Sequence, residues 1–181
     1  MIRKSLTLAA VAALGFGAVA SVPFDPSSRA EAQRRGPGRA ADLQYVAMAG
    51  ASDMYEIESS RLALQRSQRA DVREFAQMMI DHHTRTTQTV SDAARRDGLM
   101  PPPPRLMPAQ RTMLRQLERT RGGAAFDRAY LNQQLTAHQQ ALALHRNRAR
   151  IGRGALSQAA ATAVPIVQQH ISRLRQISRG R

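Results

Sequence analysis

Residues Asp71 to Asp97, DVREFAQMMIDHHTRTTQTVSDAARRD, decide the fold. Laid on a helix, Val72, Ala76, Met79, His83, Thr86, Val90 and Ala93 recur at steps of three and four, the spacing of a side that packs against other helices. His83 stands in the middle of that apolar stripe, and His82 lies one residue round, beside Phe75, Met78 and Met79. A buried imidazole needs a hydrogen-bond partner or a ligand.

The same period recurs outward from this stretch. On the N-terminal side it runs from Asp42 to about Arg66, where two stripes compete. Leu43, Val46, Gly50, Met54, Ile57 and Leu64 form one. Tyr45, Ala49, Ser52, Glu56, Ser59 or Ser60 and Ala63 form the other, built of small residues that let helices approach closely, and it places Glu56 inward. Glu58 falls among Ala51, Met54 and Leu62, where it reads as a surface carboxylate paired with Arg61 or Arg66 or as a second inward acid.

On the C-terminal side Gly98 stops the central helix, and Pro101 to Pro104 force a stiff, extended stretch that can carry the chain along a bundle. A shorter helix is expected over Leu106 to Thr120, followed by the Gly122-Gly123 break. The next runs from Ala124 to about Arg150, with Leu131, Leu135, His138, Leu142 and His145 on one stripe. The last, about Ala155 to Ile177, carries Leu156, Ala159, Ala163, Ile166, His170, Leu174 and Ile177 on one side, and Pro165 is expected to bend or divide it. The expected architecture is all-α: a four-helix bundle over residues 42–178, with a short extra helix in the long connection between helices two and three.

Ahead of this domain, Arg3 and Lys4 precede the apolar run Leu6 to Ala20, which ends in Ala18-Val19-Ala20. That is the layout of a secretory signal peptide over residues 1–20, and residues 21–41 read as a flexible leader. A second cleavage pattern is Ala30-Glu31-Ala32. No later stretch is apolar enough to cross a bilayer, so an exported, periplasmic protein is expected.

The chain has no cysteine, which excludes disulfides, thiolate metal sites and thiol nucleophiles. Of its 27 basic residues only Lys4 is a lysine, and losing Arg3 and Lys4 takes the net charge from +14 to +12. Residues 99 to 181 hold fourteen arginines against Glu118 and Asp127. Such asymmetry fits an anionic envelope surface as partner, or a solvated arginine-rich face. With 4% aromatic residues and no tryptophan, no stacking platform for nucleic acid is in view.

His83, His138 and His170 fall on interior stripes of three helices and Glu56 on that of the fourth. Bundle proteins build metal sites from such inward-pointing sets. The donors suit copper, zinc, nickel or iron; the alternative is a hydrogen-bonded core network. Met78 with His82 and Met79 with His83, each four apart, add a thioether-imidazole option for copper, although methionines at this spacing also serve as packing. A di-iron carboxylate site is excluded, because Met79, Ile80, Leu135, Leu142 and Val167, not glutamates, stand three residues before the five histidines. No nucleophile elbow, phosphate loop or His-Glu-x-x-His motif gives positive support to an enzyme.

Four blocks in order carry a family resemblance: YEIESSRLALQRS (Tyr55 to Ser67), VREFAQMMIDHHTRTT (Val72 to Thr87), FDRAYLNQQLTAHQQALALH (Phe126 to His145) and PIVQQHI (Pro165 to Ile171). Together they resemble the exported bacterial proteins of domain-of-unknown-function family 4142. The resemblance implies a ferritin-like helical bundle, and it puts the family's recurrent polar positions on Glu56, His83, His138 and His170. Where that family has Asp-Asp-His, this chain has Asp81-His82-His83, which resembles the Met-Ile-x-His-His signature of another exported, ferritin-like family tied to copper handling. The expected metal ligands are thus Glu56, His83, His138 and His170, with Glu58, Met79, His82 and His145 as secondary candidates. Two roles stay open: a bundle holding a transition-metal ion or small polar ligand, and an envelope-associated interaction protein whose histidines are structural.

Overall fold

A computed structural model describes residues 37–151 and 153–180. The expected signal peptide and most of the expected leader lie outside these residues. Among the described residues there are five helices and no strand: α1 (Pro37–Arg66), α2 (Ala70–Arg96), α3 (Pro108–Arg119), α4 (Ala124–Ile151) and α5 (Ala155–Arg179). The all-helical expectation therefore holds. None of the helices is long and apolar enough to cross a membrane.

Several boundaries differ from the expected ones. α1 starts at Pro37, ahead of Asp42, because a proline in the first turn gives up only an N–H that has no helical partner there. α3 starts at Pro108 for the same reason, and the Gln110 side chain turns back to accept from the Met107 N–H at 2.8 Å. Pro165 does not divide α5. Its ring frees the carbonyl of Ala161, but both residues face solvent, so water can satisfy that carbonyl while Ala163, Val167 and His170 keep the opposite side packed.

The helices pack in neighbouring pairs, α1 with α2 and α4 with α5, joined by α2 against α5 and α1 against α4. Of the two competing stripes on α1, the small-residue one is the more deeply buried: Tyr45, Ala49, Glu56, Ser59, Ser60 and Ala63 are all buried, with Asp53 among them. Its hydroxyls hold α4 close. Ser60 and Tyr130 share a hydrogen bond of 2.8 Å, Gln134 donates to Ser59 at 2.9 Å, and Tyr55 donates to Gln133 at 2.7 Å. Met54, Ile57 and Leu64 from the other stripe are only half-buried. The polyproline stretch crosses that side, with Pro104 against Gly50, and leads into α3, which packs on α1. Arg66 ties down the far end of α3 by donating to the carbonyls of Leu117, Glu118 and Thr120 at 3.2, 2.7 and 3.1 Å.

Asp97, just beyond α2, caps α5 across the fold. Its carboxylate accepts from the N–H groups of Ala155 and Leu156 at 2.8 and 2.9 Å, where the helix dipole favours negative charge. Gly154 precedes them at φ +88°, and a β-carbon there would stand 2.7 Å from Asp97 Oδ1.

The apolar core is split. One cluster joins Val72, Phe75, Ala76, Met79, Leu117, Phe126, Tyr130, Leu131, Leu174 and Ile177. A second joins Tyr45, Val46, Ala49, Val90, Ala93, Ala94, Leu99, Leu156, Ala159 and Ala160. A fully buried side chain of the larger apolar type stabilises a fold by about 1.5–3 kcal/mol. Between the two clusters every long helix contributes buried polar residues, Asp53 and Glu56 on α1, His83 on α2, Gln134 and His138 on α4 and His170 on α5, beside a small third apolar cluster of Ala141, Val167 and Ile171. Apolar side chains thus seal a polar layer from both ends.

Candidate metal centre

Three of the four expected primary ligands come together. His83, His138 and His170 each offer a ring nitrogen, and these atoms lie within 4.8 Å of one another. The three residues are at most 4% exposed. Each rides on its helix's packed side, which is why a seam of period 3.6 from three separate helices delivers them to one level.

What holds the second nitrogen of each ring decides which one is free. His138 Nδ1 donates to the Gln134 carbonyl at 2.8 Å, and because a carbonyl only accepts, the proton is on Nδ1 and Nε2 carries a lone pair. His170 Nδ1 lies 3.2 Å from that lone pair and therefore donates to it. His170 Nε2 in turn accepts from His82 Nδ1 at 2.8 Å. One carbonyl thus sets the direction of a relay of three imidazoles. His83 is held separately: its Nδ1 donates to Asp53 Oδ1 at 2.7 Å, and Thr87 donates to Asp53 Oδ2 at 2.9 Å. His83 Nε2 is buried without any hydrogen-bond partner.

Glu56, the fourth expected ligand, is 1% exposed and adjacent but not part of the converging trio. Its Oε1 is 3.4 Å from His138 Nδ1, the nitrogen already committed to Gln134, and neither carboxyl oxygen has a hydrogen-bond partner. This contact is not an ion pair. Burial, reinforced by the positive His83, pushes His138 down to about 3, so the ring is neutral. Burial likewise pushes the Glu56 carboxyl up to about 8, against the pull of His83 and the Gln134 amide. His170 is pushed down by burial and by the neighbouring histidines. His83 alone goes the other way: burial opposes its charge, but the hydrogen bond and charge of Asp53, with Glu56 behind it, raise it above the ordinary histidine range. Burial thus disfavours charge on His138, His170 and Glu56, whereas Asp53 favours a proton on His83, which a cation taking His83 Nε2 would have to displace.

The secondary candidates separate. His82 is half-buried and joins the relay through His170. His145 is buried but turns to Tyr45, whose hydroxyl is 3.0 Å from its Nδ1. Met79 belongs to the apolar cluster with Phe75 and Tyr130, and Met78 packs against the same cluster, so both behave as packing residues. Glu58 lines a surface cleft with Met54, Ile57, Arg61 and Pro104 and stays outside the polar layer.

Asp53 is the residue that the periodicity did not single out. It sits one turn before Glu56, and the only signal available is the Asp-x-x-Glu spacing, which puts both acids on neighbouring faces of α1. Gln134 was also missed; it supplies the carbonyl under His138 and an unpartnered Oε1 facing the same layer.

No curated protein and no solved structure matches this chain. The family profile described as "Domain of unknown function (DUF4142)" matches residues 27–177. With well over half of its length covered, the chain belongs to that family.

Proposed function

We propose that this is an exported, periplasmic protein whose four long helices form a ferritin-like bundle holding one transition-metal ion on His83, His138 and His170. The observation that carries the reading is the free nitrogen on His83: a buried imidazole Nε2 without a partner, whose other nitrogen is fixed by a carboxylate. Leaving a buried polar atom unpaired costs about 1–3 kcal/mol, so a group that completes it is favoured. His83 and His138 each donate their second nitrogen's proton, to Asp53 and to the Gln134 carbonyl, which is the outer support that metal-binding histidines use to fix tautomer and orientation.

Three imidazole nitrogens without a thioether suit zinc or another borderline divalent ion, copper(II) or iron(II) among them, better than copper(I). Tetrahedral ligands at about 2.0–2.1 Å stand roughly 3.4 Å apart, so nitrogens within 4.8 Å of one another need to draw in by an ångström or so. Glu56, free of hydrogen bonds and next to the trio, is the nearest group able to supply a fourth ligand or to hold a water in that position.

The test is elemental analysis and metal titration of the purified domain beside His83→Ala and His138→Ala. The expected result is one ion per chain, lost in both variants. No metal under any loading condition, with both variants folded but less stable, would sink the proposal and make the histidines a structural network.

A second reading has its own observation. Arg146 and Arg150 rim a groove between α4 and α5 whose floor is Ala143, Ala149, Ala161 and Val164, a combination suited to an anionic lipid. Arg148 is not part of it, being 3.2 Å from Asp42 and nearly covered. Binding to anionic vesicles that disappears with added salt and in Arg146→Glu/Arg150→Glu supports this reading; vesicles ignored at low salt remove it.

A further inference from the structure

The three converging histidines are sealed by apolar residues at both ends, so an ion needs a way in. The relay points to where it lies. His82 is the one member that is not buried, and it lines a cleft of about 270 Å³ between α2 and α5 with Arg85, Thr86, Ala159, Thr162 and Ile166. Because His82 Nδ1 donates to His170, its Nε2 is left with the lone pair, and among the described residues that nitrogen has no protein partner. An imidazole lone pair at the floor of an open cleft, one hydrogen bond away from a buried ligand, is a ready first contact for a cation.

We propose that His82 is the transient ligand through which a divalent cation passes from the α2–α5 cleft to the His83, His138 and His170 site. This rests on the metal-binding reading above. The ring planes of His82 and His170 are stacked with centroids 5.1 Å apart, and the His138 and His170 centroids are 5.2 Å apart. A cation therefore meets imidazoles in even steps and need not shed all its ligands at any one of them. The cleft has a cost built in: Arg85 is exposed at its lining, no acid shares that lining, and Asp81 beside His82 opposes Arg85 only in part, so coordination by His82, not charge, must draw the cation in.

The experiment is stopped-flow loading of the metal-free protein with cobalt(II), read by its visible absorption, followed by extraction with a chelator. Thr162→Trp covers the cleft from an exposed position, and His82→Leu removes the lone pair; circular dichroism checks that both fold. Both variants should load at least tenfold more slowly. Thr162→Trp should still reach wild-type stoichiometry and spectrum and release the ion more slowly by the same factor, since an obstruction acts equally in both directions. Arg85→Ala should load faster. Wild-type loading rates in either of the first two variants, or no acceleration in Arg85→Ala, would overturn the route while leaving the site intact. Wild-type protein that takes up no cobalt(II) at equilibrium would overturn both the site and the route.

Discussion

Asp53→Asn isolates the support under His83. The carboxylate is 2% exposed and accepts two hydrogen bonds, from His83 Nδ1 at 2.7 Å and from Thr87 at 2.9 Å. Asparagine keeps the shape and can still accept from His83, but without charge, and its amide nitrogen faces one of the two donors. A hydrogen bond to a charged group contributes about 1.5–3 kcal/mol and a neutral one about 0.5–1.5, so roughly 1–1.5 kcal/mol of His83 fixation is lost. Substituting such outer-shell partners typically weakens metal binding by about 10–100-fold. We expect the zinc Kd measured by isothermal titration at pH 7.5 to rise within that range, with unchanged stoichiometry. The effect should act through His83, so in metal-free protein Asp53→Asn should cost less stability in a His83→Ala background than in wild type. An Asp53→Asn affinity within threefold of wild type would refute the reasoning, as would an equal loss of stability in the two backgrounds.

Metal-free protein should be most stable near pH 6–7 in a thermal-melting series. Buried His138 and His170 are held neutral, His138 down to about 3, whereas in the unfolded chain they protonate near 6.5, so stability falls as pH drops from about 6.5 toward 3. Glu56 keeps its proton in the fold up to about 8 but loses it near 4.5 when unfolded, and His83 is also raised, so stability falls again as pH climbs through neutrality. A melting temperature still rising from pH 7 to 9 contradicts this. Asp97→Ala, which leaves the first N–H groups of α5 without their acceptor, should cost about 1 kcal/mol in urea denaturation. Gly154→Ala should cost at least as much, because it combines the positive φ with a collision against the same carboxylate; a neutral result would mean that the cap does not matter. Tyr130→Phe removes the hydroxyl paired with Ser60 inside the α1–α4 contact and should cost about 1 kcal/mol, checked by the same denaturation series.

The histidines of the trio were legible because each sits on a stripe whose period is that of the helix, and burial follows from period. Glu56 was legible for a less direct reason: the small residues around it mark a close helix contact, and an acid among them has nowhere to go but inward. Asp53 belongs to neither stripe as first drawn, and an acid in a helix ordinarily faces water; its partner is thirty residues away on α2, a distance that only the folded pairing of α1 with α2 removes. His145 shows the converse. It shares the α4 stripe with His138, yet two helical turns along the axis take it to a different level, where Tyr45 and not the trio receives it. Stripes report which side of a helix is covered; they do not report which residues of four helices stand at the same height. The continuity of α5 through Pro165 was hidden likewise, since it depends on Ala161 facing solvent.

The polarity of the imidazole relay has a chemical consequence. As folded, the proton between His138 and His170 is on His170 Nδ1, the nitrogen left to a cation when His82 holds Nε2. A cation that takes this nitrogen needs the other tautomer of His170, with its proton on Nε2, and that turns the bond to His82 around so that His82 becomes the acceptor and carries its own proton on Nε2. Two rings must exchange tautomers together, and the only one of them in reach of water is His82. Occupancy of the buried centre would then be written at the surface, as the identity of the protonated nitrogen on a single side chain that nitrogen-15 spectroscopy can read without seeing the metal at all.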